Sequence, residues 1–335
     1  MTAALPKSCA TCGETSCAMN AVGNIAVRSA DKTTFILDDV WPEYASYVGA
    51  TCMADDQMIA PRLFGAARYA WAGTVEHRAM LATANRHQMM RQVAAKSGAV
   101  RQVTYLRTDA VLATALARHI DYRADHLVVA QAWLPWLAKT GVLGGRTYDV
   151  LMSRFPLFDL HHRLDAAATE YGESATISDF RAGDDLVDAE RSALDGARKI
   201  ITPHHAIADL YQAKAVRLAW HRPAQSTTRP PGTRTAFLGP TIARQRPDIA
   251  RNLARHLEEP LIVLGSHHEA PDFWNGVATE VRPFGDGWLD DVGTILHPAT
   301  MTTQPRALLG AIANGVTIHA TPACGLAPDD YRLIA

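Results

Sequence analysis

The sequence has no apolar run that approaches the roughly 20 residues needed to cross a bilayer. Its first residues, MTAALPKSCATCGETSC, also lack the apolar core of a secretory signal peptide. These two absences predict a protein without a transmembrane segment and favour a cytoplasmic location.

An excess of one charge is missing as well, because 33 lysine and arginine residues nearly balance 34 aspartate and glutamate residues. A general nucleic-acid or anionic-membrane binder needs broad positive charge. We therefore expect no nucleic-acid partner, although local basic sites remain compatible with this balance.

Cysteine is scarce and odd in number, with five residues in 335. A disulfide framework is not expected for such a chain in a reducing compartment. Cys9, Cys12 and Cys17 are instead clustered, and Cys52 follows 35 residues after the last of them. Three clustered thiols with one remote thiol are typical of a 4Fe-4S iron–sulfur cluster. A tetrahedral zinc site is the alternative, and unliganded cysteines are the third interpretation.

The length and the hydrophobic pattern predict two α/β domains. Short apolar runs such as DHLVVAQ, RKIITP, PLIVLG and TILHP alternate with helical segments, which is typical of parallel sheets covered on both faces. A stretch rich in Pro, Ser, Thr and Arg interrupts this alternation. The predicted organisation is a Rossmann-like domain over 1–220, a linker over 221–234 and a second Rossmann-like domain over 235–335, facing a cleft.

Three segments give more local expectations. The residues from Pro61 to Ser97 are rich in helix formers and predict one or two helices. VRQVTYL, from Val100 to Leu106, reads as a strand and WLDDVG, from Trp288 to Gly293, as a helix.

Three stretches carry a resemblance to a known family: ARKIITPHHAIADLY, FLGPTIARQRPDIARNL and TILHPATMTTQPRALLGAIANGVTIHATPACGL. They resemble GT-B glycosyltransferases of the retaining type, close to the bacterial group 1 (GT4-like) transferases, over roughly Asp125 to the C-terminus. The resemblance implies a nucleotide-sugar donor bound by the C-terminal domain and a small-molecule or glycan acceptor on the N-terminal side.

The resemblance also implies site residues. Arg244 and Arg246 occupy the basic loop expected to bind the donor diphosphate, together with Gln304 and Arg306 at the start of the late helix. Guanidinium groups suit phosphate because they donate paired hydrogen bonds, and a helix N-terminus suits an anion.

Further candidates lie at the ends of strands, where open α/β sheets bind ligands. His204 and His205 follow RKIIT and are candidates for polarising a leaving group, and Arg154 follows another strand. His268 and Glu269 are candidates for contacting the base or ribose, because the family places this loop near the nucleotide. The alternative for the histidines is a partly exposed helix start.

The sequence departs from the family at its acidic pair. Thr302 or Thr303 stands where the first acid is expected and Gly310 where the second is expected. Two functions therefore stay open: a glycosyltransferase, or a non-catalytic, metal-containing protein of the same fold that binds or senses a nucleotide or sugar. The sequence indicates neither the donor sugar nor an oligomeric state.

Overall fold

The computed structural model describes residues 32–73, 75–172, 174–224 and 232–334. These residues form two compact units, and each unit consists of three segments of the chain. The first unit contains the described residues up to Ser153 together with Ala182–Thr202 and Tyr211–Leu218. The second contains Arg154–Arg181, Pro203–Leu210 and the described residues from Ala219 onward.

Helices flank the strands in both units. In chain order they are α1 (Pro42–Thr51), α2 (Met80–Gln92), α3 (Gly98–Ala117), α4 (Leu134–Lys139), α5 (Leu157–Tyr171), α6 (Asp184–Gly196), α7 (His205–Leu210), α8 (Pro247–Ala254) and α9 (Arg306–Ala313). None of the helices in the described ranges is long and apolar enough to span a membrane.

The first unit is built on a sheet of seven parallel strands in the order β3-β2-β1-β4-β5-β6-β7. The strands are β1 (Thr33–Ile36), β2 (Gln57–Pro61), β3 (His77–Ala79), β4 (His126–Ala130), β5 (Thr147–Leu151), β6 (Lys199–Thr202) and β7 (Ala215–Arg217). Its central strands are apolar and buried on both faces, as parallel sheets covered by helices require. The direction of strand order reverses between β1 and β4, which is the Rossmann arrangement.

The second unit repeats this arrangement with six parallel strands in the order β10-β9-β8-β11-β12-β13. The strands are β8 (Arg234–Leu238), β9 (Leu261–Leu264), β10 (Thr279–Arg282), β11 (Val292–His297), β12 (Thr317–Ala320) and β13 (Arg332–Leu333). One core cluster joins Phe237, Leu261, Val263 and Leu296 of this sheet to Ala250 and Ala254 of α8. The reversal of strand order lies between β8 and β11.

These two sheets confirm the predicted α/β class with two Rossmann-like units. The strands predicted from DHLVVAQ, RKIITP, PLIVLG and TILHP are present as β4, β6, β9 and β11. Each is a short apolar run whose burial follows directly from its composition.

The more local expectations were wrong in three places. Residues 100–106 belong to α3, where the Ser97 hydroxyl caps the helix by accepting a hydrogen bond from the Val100 N–H. The helix expected from Pro61 onward begins only at Met80, because Pro61 ends β2 and His77–Ala79 forms β3. WLDDVG is a turn that leads into β11.

Candidate functional site

The carboxyl ends of β8 and β11 lie next to each other in the second unit, where the strand order reverses. Loops that leave such a point diverge to opposite sides of the sheet and leave a crevice between them. A cavity of about 800 Å³ lies in this region of the unit. Its volume is in the range of a small-molecule or cofactor site.

The cavity is lined mainly by apolar groups, with a few polar side chains among them. Leu238, Leu264, Val281, Phe284 and Leu308 provide much of the apolar wall. The polar side chains in the wall are those of Gln245, Ser266, Arg282, His297, Thr302 and Gln304. An apolar wall with a few placed polar groups is typical of a binding pocket.

Gly239 allows the floor of the cavity to form where β8 leaves the sheet. A Cβ atom at this position would lie 2.0 Å from the main-chain oxygen of Leu264, at the end of the neighbouring strand β9. No side chain fits there without moving the backbone, so glycine is required for the two strand ends to approach each other.

His297, the last residue of β11, is a buried polar group in the cavity wall with an exposed fraction of 3%. Its Nε2 lies 2.7 Å from the Thr302 Oγ1, whereas its Nδ1 has no hydrogen-bond partner among the described residues. Burial lowers the pKa of His297 to about 4, against a weaker opposing main-chain contact with Leu238. The ring is therefore neutral near pH 7.

Gln245 is a second polar residue of the cavity wall with an unpaired buried atom. It lies in a short 3₁₀ turn, Ala243–Gln245, between β8 and α8, and its side-chain Oε1 is buried without a hydrogen-bond partner among the described residues. Buried polar atoms are almost always paired, so each exception calls for a physical reason.

The start of α9 also borders the cavity, through Gln304, Pro305, Ala307 and Leu308. No side chain caps this helix. The first N–H groups of a helix have no partner within it, and the helix dipole adds positive potential there. This end of the cavity is therefore suited to an anionic group.

The two arginines predicted for the diphosphate lie beside the cavity and not in its wall. The Arg246 guanidinium is bound to Asp248 at 2.9 Å and to Glu170 at 2.8 Å, and these contacts raise its pKa. The Arg244 guanidinium lies over the ring of Phe180, 4.2 Å from its centroid. Gln245, which lies between the two arginines in the sequence, is a lining residue of the cavity.

His204 is buried, with an exposed fraction of 1%. Its Nε2 lies 3.1 Å from the Thr302 main-chain oxygen, and its Nδ1 accepts a hydrogen bond from the Ile207 N–H at 3.3 Å. Burial lowers its pKa to about 4, while main-chain contacts with Thr302 and Ala323 oppose the shift. His204 thus contacts the loop that carries Thr302, and its neighbour His205 begins α7 and donates its main-chain N–H to Gly325.

Glu269 lies in the loop after β9 with an exposed fraction of 8%. Its carboxylate accepts hydrogen bonds from the Ser174 hydroxyl, the Ala175 N–H and the Thr176 hydroxyl, at distances from 2.5 to 3.2 Å. The Thr176 hydroxyl in turn accepts from the Ala243 N–H at 2.8 Å. Glu269 therefore holds residues 174–176, and Thr176 in turn binds the loop that carries Gln245.

The remaining predicted residues lie in different surroundings. His268 contacts Ser266 of the cavity wall, with 2.9 Å between Nε2 and Oγ. Arg306 lies over the ring of Trp220, 5.4 Å from its centroid. Arg154, at the start of the second unit, is half-buried and outside the cavity wall. Of the predicted set, Gln304 is the residue that lines the cavity directly.

The proposed metal ligands Cys9, Cys12 and Cys17 lie outside the described residues. Cys52 is half-buried at the C-terminal cap of α1. Among the described residues, no group of three or more His, Cys, Asp or Glu side chains is arranged to hold a metal ion.

Sequence reasoning missed Gln245, His297 and Gly239. His297 had a visible signal, because it is the polar residue that ends the buried strand TILH. Gly239 follows a buried strand and precedes a proline, which marks a turn but not its closeness to β9. Gln245 had no such signal between the two arginines.

The first unit has a cavity of its own, of about 610 Å³, at the amino ends of β1, β4 and β5. Arg198 binds both oxygens of the buried Asp149, and these contacts help to hold the pKa of that carboxyl at about 2 against its burial. His126 Nδ1 lies 2.8 Å from the Thr147 Oγ1. These side chains bind one another, and they lie at the edge opposite to the one where such sheets bind ligands.

Comparison with known proteins gives distant similarities only. No protein family matches the sequence, and no curated protein matches it. Among solved structures, the apo form of the lipopolysaccharide outer core galactosyltransferase WaaB shares 12% identity at a TM-score of 0.47, over 89% of this chain and 82% of the other. The calicheamicin glycosyltransferase CalG4 shares 14% at 0.41, over 88% and 81%. A UDP-glucosyltransferase from Polygonum tinctorium shares 10% at 0.43, over 87% and 79%.

Proposed function

We propose that this protein is a glycosyltransferase of the GT-B class that transfers a sugar from a nucleotide-sugar donor to a small molecule or glycan. The observation that carries the proposal is the cavity at the β8–β11 reversal, which combines an apolar wall, a few polar side chains that include Gln245, and the uncapped start of α9. A nucleoside diphosphate has the matching parts: a flat base with N–H donors, and an anionic diphosphate.

In this proposal the base lies against the apolar wall and donates a hydrogen bond to Gln245. The diphosphate lies at the start of α9, whose N–H groups stabilise the negative charge that develops as the glycosidic bond to the sugar breaks. Stabilising that leaving group is the largest contribution that such a site makes to the rate.

The charged side chains take supporting roles in the proposal. Arg246 is held by two carboxylates, so we assign it to fixing the loop before α8. Arg244 stays a candidate for contacting the diphosphate. We assign His204 to positioning the Thr302 loop, because both of its ring nitrogens are engaged. His205 and Arg154 stay candidates for contacting the sugar or the acceptor.

The second candidate function is a protein of the same fold that binds or senses a nucleotide or sugar without transferring it. One observation favours it: the described residues that line the cavity include no aspartate or glutamate. Thr302 or Thr303, and Gly310, stand where the resemblance implies acids, and Glu269 is bound to residues 174–176. Sugar hydroxyls would therefore lack the carboxylate contacts implied by the resemblance.

Calorimetric titration of the full chain with UDP, GDP and ADP, and with their sugar conjugates, tests the proposal. We expect one nucleotide to bind, and Gln245→Ala to weaken it by about 2- to 10-fold, the value of one neutral hydrogen bond. Gln212→Ala, an exposed glutamine of the first unit, is the matched control and should leave the affinity unchanged.

The same samples separate the two functions. Release of nucleoside diphosphate from a nucleotide-sugar in the presence of candidate acceptors supports transfer, whereas binding without release supports the second function. Failure of every nucleotide to bind would remove the basis of both.

The N-terminal cysteines add a proposed metal centre that depends on the sequence alone. An iron–sulfur cluster needs Cys9, Cys12, Cys17 and Cys52 as four thiolate ligands, and zinc accepts the same set. We propose a structural role for this centre, because metal binding can stabilise a region with little core of its own.

A further inference from the structure

The helix pair α2 and α3 of the first unit carries an unusual distribution of charge. Between His77 and Ile120 the sequence contains one carboxylate, Asp109, which is buried and paired with the buried Arg86 at 3.3 Å. The other cations of this segment are Arg78, Arg91, Lys96, Arg101, Arg107 and Arg118. The whole chain is almost neutral, so this segment is more basic than the rest of the chain, and its one carboxylate is buried.

The same surface exposes large apolar side chains. The exposed fraction is 89% for Leu81, 75% for Phe64 and 65% for Val103, and it is 49% and 45% for Val111 and Val100. Single exposed apolar residues are ordinary, but a group of them on one surface marks an interaction site.

Helical geometry brings these residues together. On α3, Val100, Val103, Arg107 and Val111 are separated by three or four residues and therefore share one face, which is the exposed face of the helix. The helix α2 packs along α3, so its exposed side continues this surface.

Phe64 joins the surface at the start of α2. The Arg62 N–H donates to the Thr83 hydroxyl at 3.3 Å, which holds the loop after β2 against the first turn of α2. The Arg62 guanidinium lies 5.0 Å from the centroid of the Phe64 ring. Phe64 and Leu81 therefore lie near the same end of the helix pair, and Arg62 adds a further cation.

We propose that the exposed face of α2 and α3, with the Phe64 loop, docks on an anionic membrane surface. Apolar side chains set among basic ones on a helix are the pattern of helices that lie at a lipid interface: the apolar groups enter the headgroup region and the cations bind lipid phosphates. Single-stranded nucleic acid would call for several aromatic platforms, and the exposed apolar side chains of α2 and α3 are aliphatic. The proposal is independent of the glycosyltransferase function.

Co-sedimentation of the full chain with vesicles tests this surface. Vesicles of phosphatidylcholine with about one third phosphatidylglycerol should bind the protein, and pure phosphatidylcholine should bind it weakly. Binding should decrease as salt is raised, because salt screens exposed charges. A protein that binds neither vesicle, or both equally, overturns the proposal.

Two variants locate the contact. Each cation near an anionic surface contributes about fivefold to partitioning, so Arg91→Glu with Lys96→Glu should weaken binding at least 25-fold. Arg255→Glu with Lys199→Glu makes the same charge change at exposed positions outside this helix pair and should have a far smaller effect. Equal losses in both pairs would overturn the assignment to this surface.

The apolar contribution has its own variant, Leu81→Ser with Val103→Ser. We expect it to reduce vesicle binding at least tenfold while circular dichroism, thermal unfolding and nucleotide binding stay as in the parent chain. Vesicle binding that is unchanged in this variant overturns the proposal. The proposal is also overturned if the parent chain binds no vesicles but associates with itself or binds RNA, and if this variant abolishes that binding. The surface would then serve another partner.

Discussion

Replacing Gly325 by alanine tests how the second unit holds the loop beside its cavity. Gly325 has a φ of +80°, and a Cβ atom there would lie 2.4 Å from the Cδ2 atom of the buried His204. The left-handed conformation costs an alanine about 1–2 kcal/mol. Displacing His204 also breaks its contact with the Thr302 main chain, which adds about 1–3 kcal/mol for a buried polar group that loses its partner. The expected total is about 2–5 kcal/mol.

Gly315 provides the matched control, because its φ is +75° and no atom lies within 4 Å of the corresponding Cβ position. Gly315→Ala should therefore cost only the conformational part, about 1–2 kcal/mol. Urea unfolding of the full chain measures both free energies. Tryptophan fluorescence is a suitable signal, since the Trp220 Nε1 donates to the Gly325 main-chain oxygen at 2.9 Å.

A double-variant cycle isolates the steric part. In a His204→Ala background the ring is absent, so Gly325→Ala should cost about as much as Gly315→Ala. If Gly325→Ala is no more destabilising than Gly315→Ala in the parent chain, the close packing of Gly325 against His204 is refuted.

Three further predictions concern the two buried histidines, Glu269 and the N-terminal cysteines. Burial lowers the pKa values of His204 and His297 to about 4, so their protonation favours the unfolded chain. Their contribution to the free energy of unfolding should be fully present above pH 6.5 and should decrease towards pH 4, by up to about 3 kcal/mol for each histidine. In urea unfolding, a His297→Asn variant should show a shallower decrease with falling pH, and an unchanged slope would contradict this. Glu269→Gln should destabilise the chain by about 1–3 kcal/mol in the same assay, because charge-assisted hydrogen bonds to residues 174–176 are weakened; a loss below 0.5 kcal/mol would contradict it. Anaerobically purified protein should contain iron and sulfide near four per chain if the N-terminal cysteines hold a cubane, whereas one zinc without colour indicates the alternative, and neither metal removes the proposed centre.

The strands of both sheets were largely predictable because their signal is local. A short apolar run such as LIVL is buried on both faces wherever its sheet lies, so composition alone identifies β9. The first half of α3 was not predictable in this way. VRQVTYL reads as a strand because it is rich in β-branched and aromatic residues, but the Ser97 cap and packing along α2 make it part of the first half of a long helix.

The sequence indicated the carboxyl ends of strands as the general position of a site, because open sheets bind ligands there. It did not indicate which residues line the cavity: of the predicted residues, Gln304 lines it, whereas His204 and His205 after RKIIT do not. The sequence could not indicate that Arg246 is held by Asp248 and Glu170 while Gln245, one residue earlier, reaches the cavity. Whether Gln245 or Arg246 lines the cavity depends on the tight turn before α8 and on the contact of Arg246 with Glu170, which lies 76 residues away in the chain.

The sequence by itself determined the α/β class, the repeated alternation of strand and helix, and the segment around α2 and α3 in which Asp109 is the one carboxylate, because these depend on composition and short-range periodicity. Tertiary structure alone decided the strand order, the reversal between β8 and β11, and the assignment of residues 154–181 to the second unit. Strand order and unit membership depend on pairings between distant parts of the chain, and these pairings also place Gln245, His297 and the start of α9 around one cavity.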